Sequence, residues 1–149
     1  MEKKLSVNLN ILEKSGIKRK DIKTFSPLAL AFIGDGVYEI VIRTIILGQG
    51  NMPPGKLHAY CASIVCAKSQ AISIEVILPM LTEEEQEIYR KGKNTNSPTK
   101  SKNASLSDYR KATGYEALLG YLYLKGDDER ILFLVNEGLN ILKSEKNER

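Results

Sequence analysis

LALAFIGDGVYEIVIRTIIL, residues 28–47, is twenty residues of mostly apolar chain into which an aspartate, a glutamate and an arginine are set. Asp35, Glu39 and Arg43 follow one another at spacings of four, so on a helix they share one face. A transmembrane span has the right length, but three ionisable groups near its middle would cost about 2.5–3.5 kcal/mol each, and that reading is set aside. A buried core helix accounts for Glu39 and Arg43, because a glutamate four residues before an arginine is the favourable order for an ion pair. It leaves Asp35 one turn from a like charge and beside Gly36, which costs a helix about 1 kcal/mol relative to alanine.

Gly34 and Gly36 flank Asp35, so another helix, a second subunit or a ligand approaches the backbone there. A carboxylate without a balancing charge, on the polar seam of an apolar helix, suits a hard divalent cation. Mg²⁺ uses one or two carboxylates, with waters and substrate phosphate completing its shell. A structural ion pair and a metal site both remain open on these residues alone. The pattern recurs in TGYEALLGYLYL, residues 113–124, where Glu116 stands among apolar neighbours with Gly114 and Gly120 close by. Two apolar helices, each carrying an inward-placed acid, could converge on one ion.

The rest of the chain is ordinary globular composition, with 149 residues, 42% hydrophobic and 27% charged. That is one domain, residues 1–149, able to bury a core without disulfides. Residues 1–25 form a basic extension or helix and residues 144–149 a short tail. Cys61 and Cys66 make no CxxC pair and His58 is the single histidine, so a zinc site of usual spacing cannot be assembled. Asn8, Asn10 and Glu13 interrupt any signal-like apolar stretch near the N-terminus. A reduced, cytoplasmic setting without a membrane is the expectation.

Helical spacing dominates and no stretch alternates convincingly with period two, so the fold is expected to be all-α. A weak first helix falls within residues 5–23. Ser26-Pro27 caps and starts a helix running to about Leu47, and Pro53-Pro54 starts the next, which Pro79 closes, a break near Ser69 remaining open. Thr82 and Glu85 spell a capping box for a helix ending at Gly92, and Glu83, Glu84 and Glu85 read as capping and solvated surface. Residues 93–106 are a polar loop, long for a compact domain. A helix then runs from near Ser107 to before Gly126, and a last one from Asp127 through about Lys143. From residue 90 to 111 there are seven basic side chains against Asp108 alone.

LAFIGDGVYE resembles the signature helix of the ribonuclease III catalytic domain, and GYEALLGYLYL resembles that family's second acidic motif. LALAFIGDGVYE, LHAYCASIVCAKSQA, RKGKN and YRKATGYEALLGYLYL together are most similar to the Mini-III branch, which lacks a separate double-stranded-RNA-binding domain. The resemblance covers roughly residues 26–130. It implies that Asp35 and Glu116 are the catalytic, Mg²⁺-binding acids. Two further acids of the larger enzymes are absent, their positions being held by Ala31 and Thr113. It also implies a homodimer that cleaves double-stranded RNA, leaving 5′-phosphate and 3′-hydroxyl ends, and that matures the large-subunit (23S) ribosomal RNA precursor.

On that footing Arg90, Lys91, Lys93, Asn94, Lys100, Lys102, Arg110 and Lys111 are the candidate RNA contacts, since duplex RNA is gripped through phosphates and 2′-hydroxyls. His58 reads as a polar structural residue or an RNA contact. Lys68, Ser69 and Gln70 read as contacts to the partner subunit or the RNA, or as plain surface. The helix around Cys61 and Cys66 reads as core. Two rivals stand: a non-catalytic duplex-binding module of the same fold, and a structural protein whose acids sit in core ion pairs.

Overall fold

The structure is a computed structural model and describes residues 7–95 and 105–147. Its helices are α1 (Val7–Lys14), α2 (Pro27–Gly48), α3 (Pro54–Val65), α4 (Ala67–Ile77), α5 (Glu83–Lys93), α6 (Leu106–Lys125) and α7 (Asp128–Asn147), with 3₁₀ turns at Ile22–Thr24 and Leu78–Met80. No strand occurs among the described residues, as the helical periodicity predicts.

Local chemistry sets most boundaries. Ser26 Oγ accepts from the Ala29 amide at 3.1 Å, with Pro27 at the first helical position of α2. Thr82 and Glu85 form the expected reciprocal box. Gly126, at φ +86°, takes the left-handed turn that ends α6.

Other boundaries differ from the sequence reading. The helix that begins at Pro54 breaks at Cys66, whose extended backbone (ψ 154°) separates α3 from α4. Helix α5 passes through Gly92 to Lys93, because Gly92 is a packing contact and not a stop: a Cβ there would lie 2.8 Å from the Ala117 Cβ. Glu85 is not solvated surface. Its side chain is buried and takes a two-pronged ion pair from Arg130, both N–O distances being 2.8 Å, which ties the start of α5 to the start of α7.

Helix α6 is the central element, packing against α2, α4, α5 and α7. The core joins Tyr38, Ile42 and Ile46 of α2, Ile74 and Ile77 of α4, Tyr115, Leu118, Leu119 and Leu122 of α6, and Leu134 and Val135 of α7. No single helix among the described residues is long and apolar enough to cross a membrane. The apolarity of α2 is explained by the faces it presents, one buried against α6.

The α2–α6 crossing is unusually close. A Cβ on Gly34 would fall 1.7 Å from the Glu116 carbonyl oxygen, and one on Gly120 would fall 2.0 Å from the Leu30 carbonyl oxygen. Backbone therefore lies on backbone, which only glycine permits. Gly36 differs, since nothing lies within 4 Å of the position its Cβ would take. The two glycines beside Asp35 thus face opposite ways, Gly34 onto α6 and Gly36 into the open.

Candidate active site

The crossing brings together the two acids singled out from the sequence. Gly34 adjoins Asp35 in sequence and touches the backbone of Glu116, so the residue that draws the helices together also sets the carboxyl groups side by side. The two carboxyls lie within hydrogen-bonding reach of one another. Asp35 is not inward-placed as expected but exposed, while Glu116 is partly buried beneath it. The pair is open to solvent on the Asp35 side.

Arg43 does not neutralise it. Its guanidinium is spent on Glu39, at 3.2 Å, an exposed i, i+4 pair of little energetic weight. Burial, then the negative charge of Asp35 and the hydrogen bond to it, push the Glu116 carboxyl from 4.5 up to about 8, and a hydrogen bond from Gln70 pulls it partly back. No basic side chain is among the groups that act on it. Two neighbouring carboxyls without a counter-charge, one of them resisting ionisation, form a donor set that a hard divalent cation completes. The residues present fit such an ion. Among the described residues no third Asp, Glu, His or Cys joins them.

The positions held by Ala31 and Thr113 supply nothing in their place. Ala31 packs in a small apolar cluster with Leu30 and Ala117. Thr113 is buried and turns its hydroxyl onto the Tyr109 carbonyl of its own helix, at 3.0 Å.

Gln70, which the sequence reading takes with Lys68 and Ser69 as a contact for RNA or partner or as surface, is only 3% exposed and lies against Glu116. Its signal was present: a glutamine in a run otherwise made of small and apolar residues, Ala71-Ile72-Ser73-Ile74. Lys68 is exposed, and Ser69 gives its hydroxyl to the Ser63 carbonyl across the α3–α4 break at 2.7 Å. His58 is exposed on α3. Of the two cysteines, Cys61 belongs to the core and Cys66 does not, lying exposed at the break.

The basic run divides. Arg90 is held by both carboxylate oxygens of Glu87, at 2.6 and 3.0 Å, with Lys91 3.9 Å from the same residue. Lys111 pairs with Glu75 of α4 at 2.9 Å. Lys93 and Asn94 close α5. Arg110 is exposed on the first turns of α6, six residues and therefore about 9 Å along the axis from Glu116. Lys100 and Lys102 lie outside the described residues.

Residues 28–127 match the ribonuclease III domain. The chain is 43% identical over 136 residues to "Mini-ribonuclease 3" of Thermoanaerobacter sp. (strain X514), covering 91% of this chain and 92% of that one. It is 43% identical over 132 residues to the protein of the same name from Clostridium tetani, covering 87% of each. Among solved structures, protein FN1578 from Fusobacterium nucleatum superposes with a TM-score of 0.73 at 35% identity, over 78% of this chain and 95% of that one.

Proposed function

The chain belongs to the ribonuclease III family and is an endoribonuclease of it, and from that premise we propose that it cuts double-stranded RNA as a homodimer with Mg²⁺ held between Asp35 and Glu116. The observation that carries this reading is the carboxyl pair itself, brought together by the Gly34 and Gly120 crossing and left without a basic partner.

A divalent ion held by Asp35 and Glu116 would supply a water of lowered pKa for in-line attack and stabilisation of charge on the phosphate and the leaving 3′-oxygen, so that cleavage would leave a 5′-phosphate and a 3′-hydroxyl. The protein's part is positional. Asp35, at the surface, and Glu116, partly buried, would hold the ion where a phosphate can reach it from solvent. Arg110 and Lys93, neither engaged by an acid in the ion pairs described above, grip flanking phosphates. Arg90, Lys91 and Lys111 are available only in competition with Glu87 and Glu75. We propose further, from the resemblance of its motifs to the Mini-III branch, that it matures the ends of the 23S ribosomal RNA precursor in the cytoplasm. Incubating a long perfect RNA duplex with the purified protein tests the reading. Cutting in Mg²⁺ that stops with chelator, and fails on single strands of the same sequence, is the expected result; chelator-insensitive or single-strand cutting would sink it.

The homodimer has its own support. Phe32 is 82% exposed, Ile40 61% and Leu47 58%, and with Gly36 they share one face of α2 that also carries the exposed Glu39–Arg43 pair. Large apolar side chains so exposed in a row mark a contact surface, and a second copy of α2 laid across Gly36 would cover them. Asp35 borders this face, so pairing would set two sites near one another. Phe32→Asp is expected to convert the dimer to a monomer in light scattering after size exclusion; an unchanged mass would remove α2 from the interface.

A further inference from the structure

Gln70 is placed by the helix break. Because Cys66 is extended, the last carbonyls of α3 lack the amide four residues on that a continuing helix would supply, and Gln70 reaches back to one of them, its Nε2 donating to the Val65 carbonyl at 2.8 Å. An acceptor at Val65 fixes which end of the carboxamide is nitrogen. The same carboxamide lies close enough to the Glu116 carboxyl to hold its ionisation down a little. That leaves Oε1, buried and without a hydrogen-bond partner among the described residues.

Buried amide oxygens are almost always satisfied, and one left over beside a charged site points to a ligand or ordered water. The hydroxyls of Tyr89 and Tyr115 are also without partners among the described residues, but each is a single rotatable hydroxyl within the core, and that of Tyr38 lies against Ser73. Gln70 differs in that its other end is pinned at a helix break and its side chain adjoins an acid of the site.

We propose that Gln70 is a positioning residue of the Asp35–Glu116 site, orienting Glu116 through its N–H and offering Oε1 as a neutral acceptor to the hydration shell of the bound divalent cation. This rests on the reading of Asp35 and Glu116 as the cation's ligands. A neutral acceptor does for water around the ion what a third carboxylate would do, without adding another negative charge beside Glu116. Outer-shell partners of this kind shift metal affinity by about 10–100-fold. The expected consequence is therefore on the metal dependence and not on RNA binding.

The test uses the full chain without RNA, following the rise in thermal midpoint as Mg²⁺ is titrated into the wild type, Glu116→Gln, Gln70→Leu and Gln70→Glu. Gln70→Leu is expected to need about tenfold or more Mg²⁺ for the same rise. Gln70→Glu, which keeps an acceptor, is expected to bind at least as well as wild type while starting from a lower metal-free midpoint. In cleavage, Gln70→Leu should shift the Mg²⁺ requirement by the same factor and regain rate at saturating Mg²⁺.

A role confined to holding Val65 would lower the metal-free midpoint of Gln70→Leu and leave its Mg²⁺ titration on the wild-type curve, which would overturn the proposal. Should Gln70→Leu fail to fold, Gln70→Glu decides: weaker Mg²⁺ binding than wild type overturns the proposal too. If Glu116→Gln responds to Mg²⁺ as the wild type does, the underlying reading of the site fails and this inference with it. Loss in Glu116→Gln with no change at Gln70 removes the inference alone.

Discussion

Glu116→Gln is expected to reduce cleavage of duplex RNA on the order of a thousandfold or more while leaving the protein folded and able to retard the duplex. Among the described residues the site has two carboxyls and no third, so exchanging one for an amide removes half of its anionic donors and, with them, stabilisation of the attacking and leaving oxygens. A thousandfold loss corresponds to about 4 kcal/mol of transition-state stabilisation. Asp35→Asn is expected to match it, and because Asp35 is exposed and its charge opposes ionisation of Glu116, the change should leave the protein folded and no less stable in metal-free buffer at neutral pH. Cleavage within tenfold of wild type in either variant would remove that residue from the catalytic centre.

The same substitution carries a pH signature. The Glu116 carboxyl is raised from 4.5 to about 8, so between those values the folded protein holds a proton that the unfolded chain has lost. Its contribution to stability is then full below about 4.5 and falls away as pH rises through about 8. In metal-free buffer the midpoint of Glu116→Gln should therefore gain on wild type from pH 5 to 8.5 and level off above. Mg²⁺ binding to the wild type should release a proton near neutrality, which calorimetry in buffers of different ionisation enthalpy would register. A constant difference between the two proteins across this range would mean that Glu116 titrates as an ordinary exposed carboxyl.

The second large effect belongs to Gly34→Ala. The added methyl would sit 1.7 Å from the Glu116 carbonyl oxygen and 2.8 Å from the Gly120 amide nitrogen, both backbone atoms. No side chain can swing aside, so α2 and α6 must part by more than 1 Å along their closest approach. Overpacking costs typically 1–3 kcal/mol and sometimes more, and this site belongs at the upper end even after the helix gains about 1 kcal/mol from alanine. A loss of about 3 kcal/mol lowers the thermal midpoint by roughly 10 °C in a chain of this size. Whatever folded protein remains should cleave about a hundredfold more slowly, the cost of misplacing a reacting group by about 1 Å. Gly36→Ala is the control: in the Phe32→Asp background, where a second chain no longer covers α2, it should raise stability by up to about 1 kcal/mol. Equal effects at the two glycines would contradict the crossing.

These contrasts mark what could be read from the chain. Helix identity was legible because Ser26-Pro27, the Thr82/Glu85 box and Gly126 act locally, within one turn of the residues they cap. Asp35 and Glu116 stood out as acids in apolar helices, with glycines signalling close approach. The orientation of that approach was not legible: Gly34 and Gly36 look alike in sequence, and only the path of α6 separates them. The burial of Gln70 beside Glu116 is not legible in the sequence, because it depends on where the Cys66 break falls and on the proximity of α4 to α6. Glu85 was misread as solvated because its partner, Arg130, is 45 residues away.

The contact of bare backbone at Gly34 and Gly120 also separates two properties that protein engineers usually find coupled. The closest approach of the two acid-bearing helices is set by main-chain atoms in contact. Volume-conserving substitutions far from that contact, such as at Leu134 and Val135 of α7, can accumulate over generations or be selected for heat resistance while the crossing stays fixed.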